Sequence, residues 1–243
     1  MFIDQYYQNV SNVLEKIIIN ESGSIQKAGQ KLAETIEADR LIHVFGCGHS
    51  HMLSEELFYR AGGIAPINPI FDTTAMLHEG AQRSSSIERM SGLAKLTLSN
   101  YKIEPKDVFL IASNSGINPY PIEMATEAKK KGAFVISITS KAYQEVDSRQ
   151  EEGLHLTDVS DLIIYNHVGY GDASVKVSKK GLKSGPTSSI SAFFIANSMV
   201  LAACEFLQEK DMTPPVFVSG NMPQGDSTNK ELVDTYKYRI KHL

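Results

Sequence analysis

Two short stretches hold most of the chemistry that this sequence advertises: Gly46-Cys47-Gly48-His49-Ser50 and Ser113-Asn114-Ser115-Gly116. Each follows an apolar run and precedes a helical pattern. Glycine lets a backbone approach a ligand closely and take positive φ. A helix start supplies unpaired N–H groups and the positive end of a dipole. A third apolar run, residues 134 to 138, ends in Thr139 and Ser140. Three such ends offering hydroxyls and amides describe a site for a compact anion. Hydrogen bonds to a charged group contribute roughly 1.5–3 kcal/mol each. Two converging loops can therefore hold a phosphate monoester without Arg or Lys. The competing reading of any single loop is that its Ser or Thr merely caps a helix.

Other uses of the first loop fit less well. A dinucleotide fingerprint needs its third glycine at position 51, where His51 stands, although Asp72 lies at a tolerable spacing for a ribose contact. A phosphate loop of the Walker type needs Gly-Lys-Ser/Thr, which is missing. His49 and His51 with Glu55 or Glu56 suggest a metal, but neither an HExxH run nor a cysteine pair supports zinc. No metal and no cofactor are expected. Cys47 sits near a helix start without a base partner and reads as a small residue filling a turn.

Proton chemistry needs a carboxylate or an imidazole near the anion. Glu55 and Glu56 leave the first loop on a helix, and one of them can face a ligand. His78-Glu79 sits in the patternless stretch DTTAMLHEGAQRSSS. His155 and His167 flank a short apolar run, and Lys183 and Ser184 precede a long apolar helix. Ordinary loop roles are the simpler account of the two histidines, while the glycine-flanked segment of Lys183 and Ser184 can reach a ligand, including one across a subunit boundary.

The elements that must position these residues follow from periodicity. Helices are expected over residues 2–18 and from Ser24 to Ala38, separated by a break at Asn-Glu-Ser-Gly-Ser, and then over 50–60, 119–131 and 186–208. A capping box of Thr228 with Glu231 starts a C-terminal helix. Strands are expected at 41–45, 64–67, 107–112, 133–138 and 162–165. Residues 68–86 and 166–186 lack regular pattern. Strands alternating with helices mean right-handed βαβ units and a mostly parallel sheet.

The 243 residues are 42% hydrophobic and 21% charged, with net charge -4. This suits one large α/β domain with a sizeable core and gives no electrostatic pull toward nucleic acid. The two cysteines make no disulfide framework, which suits a reducing compartment. No basic-then-apolar leader opens the chain. The apolar run 192–204 is broken by Asn197 and Ser198, so it reads as a buried helix and no membrane partner is expected.

Gly46-x-Gly48-x-Ser50 resembles the GxGxS turn of the sugar isomerase (SIS) domain family, and Ser113-x-Ser115-Gly116 resembles its SxSG loop. The resemblance covers about residues 25–205 and is nearest the phosphoheptose-isomerase-like branch. It implies a flavodoxin-like three-layer αβα sandwich over 1–243, with helical extensions at 1–20 and 210–243. It implies a phosphorylated sugar as ligand and a cytoplasmic homodimer or homotetramer. The phosphate would lie against Gly48, Ser50, Ser113, Asn114, Ser115, Gly116, Thr139 and Ser140. Asn118 stands where the family often has Thr after SxSG. Arg60 occupies the place of a family glutamate, so Glu79, Glu56 and His78 are the candidates for catalysis. The implied activity is an aldose–ketose isomerisation. An amino-sugar phosphate lyase or a non-catalytic phosphosugar sensor on the same scaffold are the alternatives.

Overall fold

The computed structural model describes residues 1–223 and 225–243. Five strands form one parallel sheet: β1 (Ile42–Gly46), β2 (Ile67–Pro69), β3 (Val108–Ala112), β4 (Phe134–Thr139) and β5 (Leu162–Tyr165), in the order β2-β1-β3-β4-β5. This is the doubly wound order, with the chain reversing direction across the sheet at β1 and β3. Side chains on successive strand residues point to opposite faces, and both faces are covered. Ile42, Val44, Val108, Leu110, Ile136 and Ile138 pack on one side. Phe45, Phe109, Ile111 and Val135 pack on the other. Burial on both faces explains why β1, β3 and β4 read as continuous apolar runs rather than alternating ones.

The first face is covered by α1 (Phe2–Glu37), α2 (Met52–Leu57) and α7 (Ser188–Gln208). The second is covered by α3 (Ala81–Glu88), α4 (Leu93–Leu98), α5 (Pro119–Lys130) and α6 (Leu156–Val159). A two-stranded antiparallel hairpin, β6 (Ala173–Lys176) with β7 (Lys183–Pro186), precedes α7. The C-terminal α8 (Gly225–Tyr236) packs with Phe217, Tyr236 and Ile240 against Leu41 and Ala65.

Several boundaries differ from the sequence expectation. The two N-terminal helices are one, since α1 runs unbroken for 36 residues through Asn20–Ser24. Asn20 donates to the Lys16 carbonyl and Ser22 to that of Ile18, so their side chains serve the helix instead of leaving it. Glu21 is buried there against His167. The packing of α1 along α7 overrides the poor propensity of Gly23.

The expected helix 50–60 is a 3₁₀ turn, Gly48–His51, leading into a short α2 that stops before Tyr59 at φ +43°. The second strand is Ile67–Pro69, and Ile64 instead bridges to Val216. The stretch 68–86 contains most of α3, and 166–186 contains the hairpin. α8 begins at Gly225, which places Thr228 inside the helix rather than at its cap. α7 is long and apolar enough to cross a membrane by length and composition. In this fold it buries Ser191, Ile195, Ala196 and Met199 among its inward residues.

Candidate functional site

Strand register assembles the site. Gly46 pairs with Ala112, and Ala112 pairs with Ile138. The carboxyl ends of β1, β3 and β4 therefore stop at one level, and Ser50, Ser113–Gly116 and Thr139–Ser140 emerge side by side. Open parallel sheets bind ligands at this edge.

Each loop is held tightly. A Cβ on Gly46 would lie 2.4 Å from the Ser50 carbonyl oxygen, so only glycine lets the first turn close. The Gly48 N–H donates to the Ala75 carbonyl at 2.9 Å, tying this turn to the segment after β2. In the second loop Gly116 takes φ +63°, and a Cβ there would meet Thr139 Oγ1 at 2.9 Å. Its N–H donates to Ser113 Oγ at 3.2 Å. The Ser140 N–H donates to the Asn114 carbonyl at 3.0 Å, and Asn166 Nδ2 donates to Asn114 Oδ1 at 2.8 Å. Asn166 in turn receives the Val168 N–H on its Oδ1.

A cleft opens above these loops. Its floor is Ser50, Ala112, Asn114, Ile138 and Asn166, and His49 and Leu53 form one side. Ser188, Ser189, Ala192 and Phe193 of α7 form the opposite wall. Asp172, at φ +64°, accepts hydrogen bonds from the Thr187 and Ser188 amides and from Ser188 Oγ. The hairpin thus fixes the start of α7 over the sheet edge.

The phosphate candidates divide into three groups. Ser50 and Asn114 line the cleft. Ser115, Gly116, Thr139 and Ser140 line a smaller crevice with Tyr143 and His155. Ser113 and Asn118 are buried, the first engaged by the Gly116 amide and the second by Arg149 at 2.7 Å. Ser140 Oγ donates to the Val168 carbonyl, and the Gly48 amide is committed to Ala75.

None of the three catalytic candidates lines the cleft. Glu56 pairs with Arg60 and accepts from Asn197 Nδ2 at 2.9 Å, farther along α2 than the cleft-lining Leu53. Glu79 is exposed, accepts from Thr73 Oγ1 and lies 3.5 Å from Arg83. His78 stands against His51, with ring centroids 5.2 Å apart. Among the remaining candidates, His167 meets Glu21, His155 Nε2 meets the Val146 carbonyl, and Lys183 and Ser184 are exposed on β7.

Cys47 is buried, and burial pushes its thiol well above its usual range, with Glu88 and Asp72 adding to the effect. That excludes a ready thiolate. Asp72 accepts from Tyr120 and Thr74, so it is engaged within the protein rather than presented to a ribose. Asn166 and Glu88 carry no motif of their own, whereas the segment of Lys183 and Ser184 leads directly into Ser188 and Ser189 of the α7 wall. Burial raises the Glu88 carboxyl, while a hydrogen bond from Asn118 and the nearby Arg89 and Arg149 pull it back only in part. A carboxyl perturbed in this way beside an anion loop is a candidate for proton transfer. The serines of Thr-Ser-Ser-Ile-Ser, residues 187–191, were the available signal for the α7 wall, since they repeat the hydroxyl-before-helix logic of the other loops.

Comparison with known proteins accords with this geometry. The SIS domain family model matches residues 5–140. A UPF0309 protein of Listeria monocytogenes is 44% identical over 242 residues, covering 99% of this chain and 98% of that protein. One from Geobacillus kaustophilus is 42% identical over 99% of this chain and 96% of its own length. Among solved structures, a phosphoheptose isomerase from Francisella tularensis superposes with TM-score 0.54 at 13% identity, covering 84% of this chain and 96% of that one. The Vibrio vulnificus NanR protein, solved in complex with ManNAc-6P, gives TM-score 0.53 at 15% identity over 100% of this chain and 71% of its own. At such identities these two structures speak to the fold. The family match and the full-length relatives go further, and the chain belongs to the SIS domain family.

Proposed function

We propose that this protein binds a phosphorylated sugar across the carboxyl ends of β1, β3 and β4 and isomerises it between aldose and ketose forms, as a phosphoheptose-type enzyme does. The observation that carries this reading is the shared register of Gly46, Ala112 and Ile138, which sets three hydroxyl-bearing loops at one level. In the proposal Ser50 and Asn114 meet the phosphate directly, and Ser115 with Thr139 and Ser140 shapes the loop behind it. The names of the superposable structures, one a phosphoheptose isomerase and one complexed with a sugar phosphate, support the ligand class.

Isomerisation moves a proton between C1 and C2 through an enediol and needs a base. We assign that role to Glu79 or Glu56, with His78 assisting and Glu88 as a further candidate. The lyase alternative draws on Glu88 in particular. Burial raises its carboxyl, the direction that suits a proton donor to a leaving ether oxygen. The protein is proposed to act in the cytoplasm as a homodimer or homotetramer, for which the exposed Phe2, Ile3 and Tyr7 on α1 offer apolar contact surface.

Thermal-shift screening of a sugar-phosphate panel tests the ligand, because a molecule that binds the native state raises its apparent stability. Unchanged affinity in Ser50→Ala and in the double variant Ser113→Ala/Ser115→Ala would remove the site assignment. Solvent-proton exchange into the bound sugar tests catalysis. Exchange lost in one of Glu79→Gln, Glu56→Gln and Glu88→Gln names the base. Tight binding without exchange across the panel leaves a sensor.

A further inference from the structure

His51 is buried directly after Ser50, and its Nδ1 bonds the Gly48 carbonyl. A carbonyl only accepts, so Nδ1 carries the proton and the Nε2 of a neutral ring presents a lone pair. That Nε2 lies 3.3 Å from Glu55 Oε1 on the same helical face. Two acceptors at this distance repel unless a proton or a cation stands between them. The His78 ring packs edge-on against His51, with centroids 5.2 Å apart and 65° between the planes. One ligand atom from each of His51, Glu55 and His78 lies within 4.8 Å of the other two.

We propose that His51, Glu55 and His78 bind a divalent transition-metal ion of the Zn²⁺ class. Two imidazoles and one carboxylate match the borderline donor preference of that ion, and three protein ligands leave a fourth position for water or a ligand oxygen. The hydrogen bond from Nδ1 to a backbone carbonyl is the outer contact that orients metal-bound histidines. Ligand bonds of roughly 2.0–2.2 Å require some closure of the present spacing. Glu55 and His78 are exposed and free to supply it, while His51 stays fixed. The sequence alone shows only the His51–Glu55 spacing. The third ligand arrives because the Gly48 amide ties the first glycine turn to Ala75, three residues before His78. A bound ion would clasp the segment carrying Glu79 to the turn carrying Ser50. This site rests on its own side chains and does not depend on the sugar reading.

The test uses full-length protein stripped with chelator and then titrated with Zn²⁺ by calorimetry and with Co²⁺ by visible spectroscopy. One ion per chain is expected, with Co²⁺ d–d bands of a low-coordinate N/O site and a raised melting temperature. His78→Ala and Glu55→Gln, both at exposed positions, should each weaken binding by about tenfold or more, since loss of even an outer-sphere partner has that effect. His49→Ala should not. Absence of binding at saturating ion overturns the proposal. Equal affinity in wild type, His78→Ala and Glu55→Gln overturns it as well, by placing the ion elsewhere.

Discussion

Glu21 Oε1 lies 3.0 Å from His167 Nε2, joining the middle of α1 to the segment that leaves β5. The carboxylate is buried inside the Asn-Glu-Ser-Gly stretch that sequence alone marks as a break. A hydrogen bond to a charged group is worth roughly 1.5–3 kcal/mol. Glu21→Ala should cost about that much, read as a lower urea midpoint with unchanged slope. His167→Ala should cost a similar amount, and the double variant less than the sum, because both remove one contact.

Two glycines of α1 should respond in opposite directions to the same change. Gly23 has open space around it, so Gly23→Ala should gain about 0.5–1 kcal/mol from helix propensity. At Gly29 a Cβ would fall 2.4 Å from Ala202 Cβ and 2.9 Å from the Ala203 amide nitrogen. Overpacking of this kind costs roughly 1–3 kcal/mol and outweighs the propensity gain. Gly29→Ala should therefore lower the melting temperature, as checked by calorimetry on both variants.

Asp107 gives the fold an acid-sensitive anchor. Burial by itself raises its carboxyl. Hydrogen bonds from His43 and from the Glu104 and Leu41 amides more than offset that and hold it below its ordinary value. As pH falls, the unfolded chain takes up this proton before the native state does. The contribution is complete above the unfolded value of about 3.9 and is lost as pH falls through the lower folded value. Urea midpoints of Asp107→Asn should be lower than wild type near neutrality. The two should converge in acid, where the variant's pH dependence is shallower.

Ligand affinity should follow the cleft floor. Ser50→Ala should weaken a bound sugar phosphate by about tenfold to a hundredfold, the equivalent of one charge-assisted hydrogen bond. Asn114→Asp should weaken it more, because it places a carboxylate against the phosphate while its Oδ1 still accepts from Asn166 Nδ2. Calorimetric titration of the best ligand from the panel checks both.

The parts legible in the sequence were those whose signal is local. β1, β3 and β4 are buried on both faces, so their apolar runs stand out, and the glycine–serine loops after β1 and β3 stand out with them. α3 buries only Ser84 among its own residues, so it leaves no amphipathic stripe to read. β6 and β7 bury only Val175, and their pairing across the turn at Gly181 is equally silent. The continuity of α1 is a tertiary effect, decided by α7 more than a hundred and fifty residues later. The same holds for the site. Three strand-end loops were visible, while Asn166 and Phe193 reach the cleft from distant segments.

The unbroken α1 also has a mechanical consequence. At 1.5 Å per residue, 36 residues make a rod of about 54 Å. Its first fully buried residue is Ile17, so the leading four turns stand largely outside the core. They still carry a load: Tyr6 donates to the Pro186 carbonyl and Asn9 to that of Ser174, gripping both arms of the hairpin. The hairpin holds Asp172 at its base, and Asp172 holds Ser188. The outer rod is thereby tied through the hairpin to the α7 wall of the cleft. Shortening the N-terminus by a dozen residues would spare the core and release both arms of the hairpin from α1.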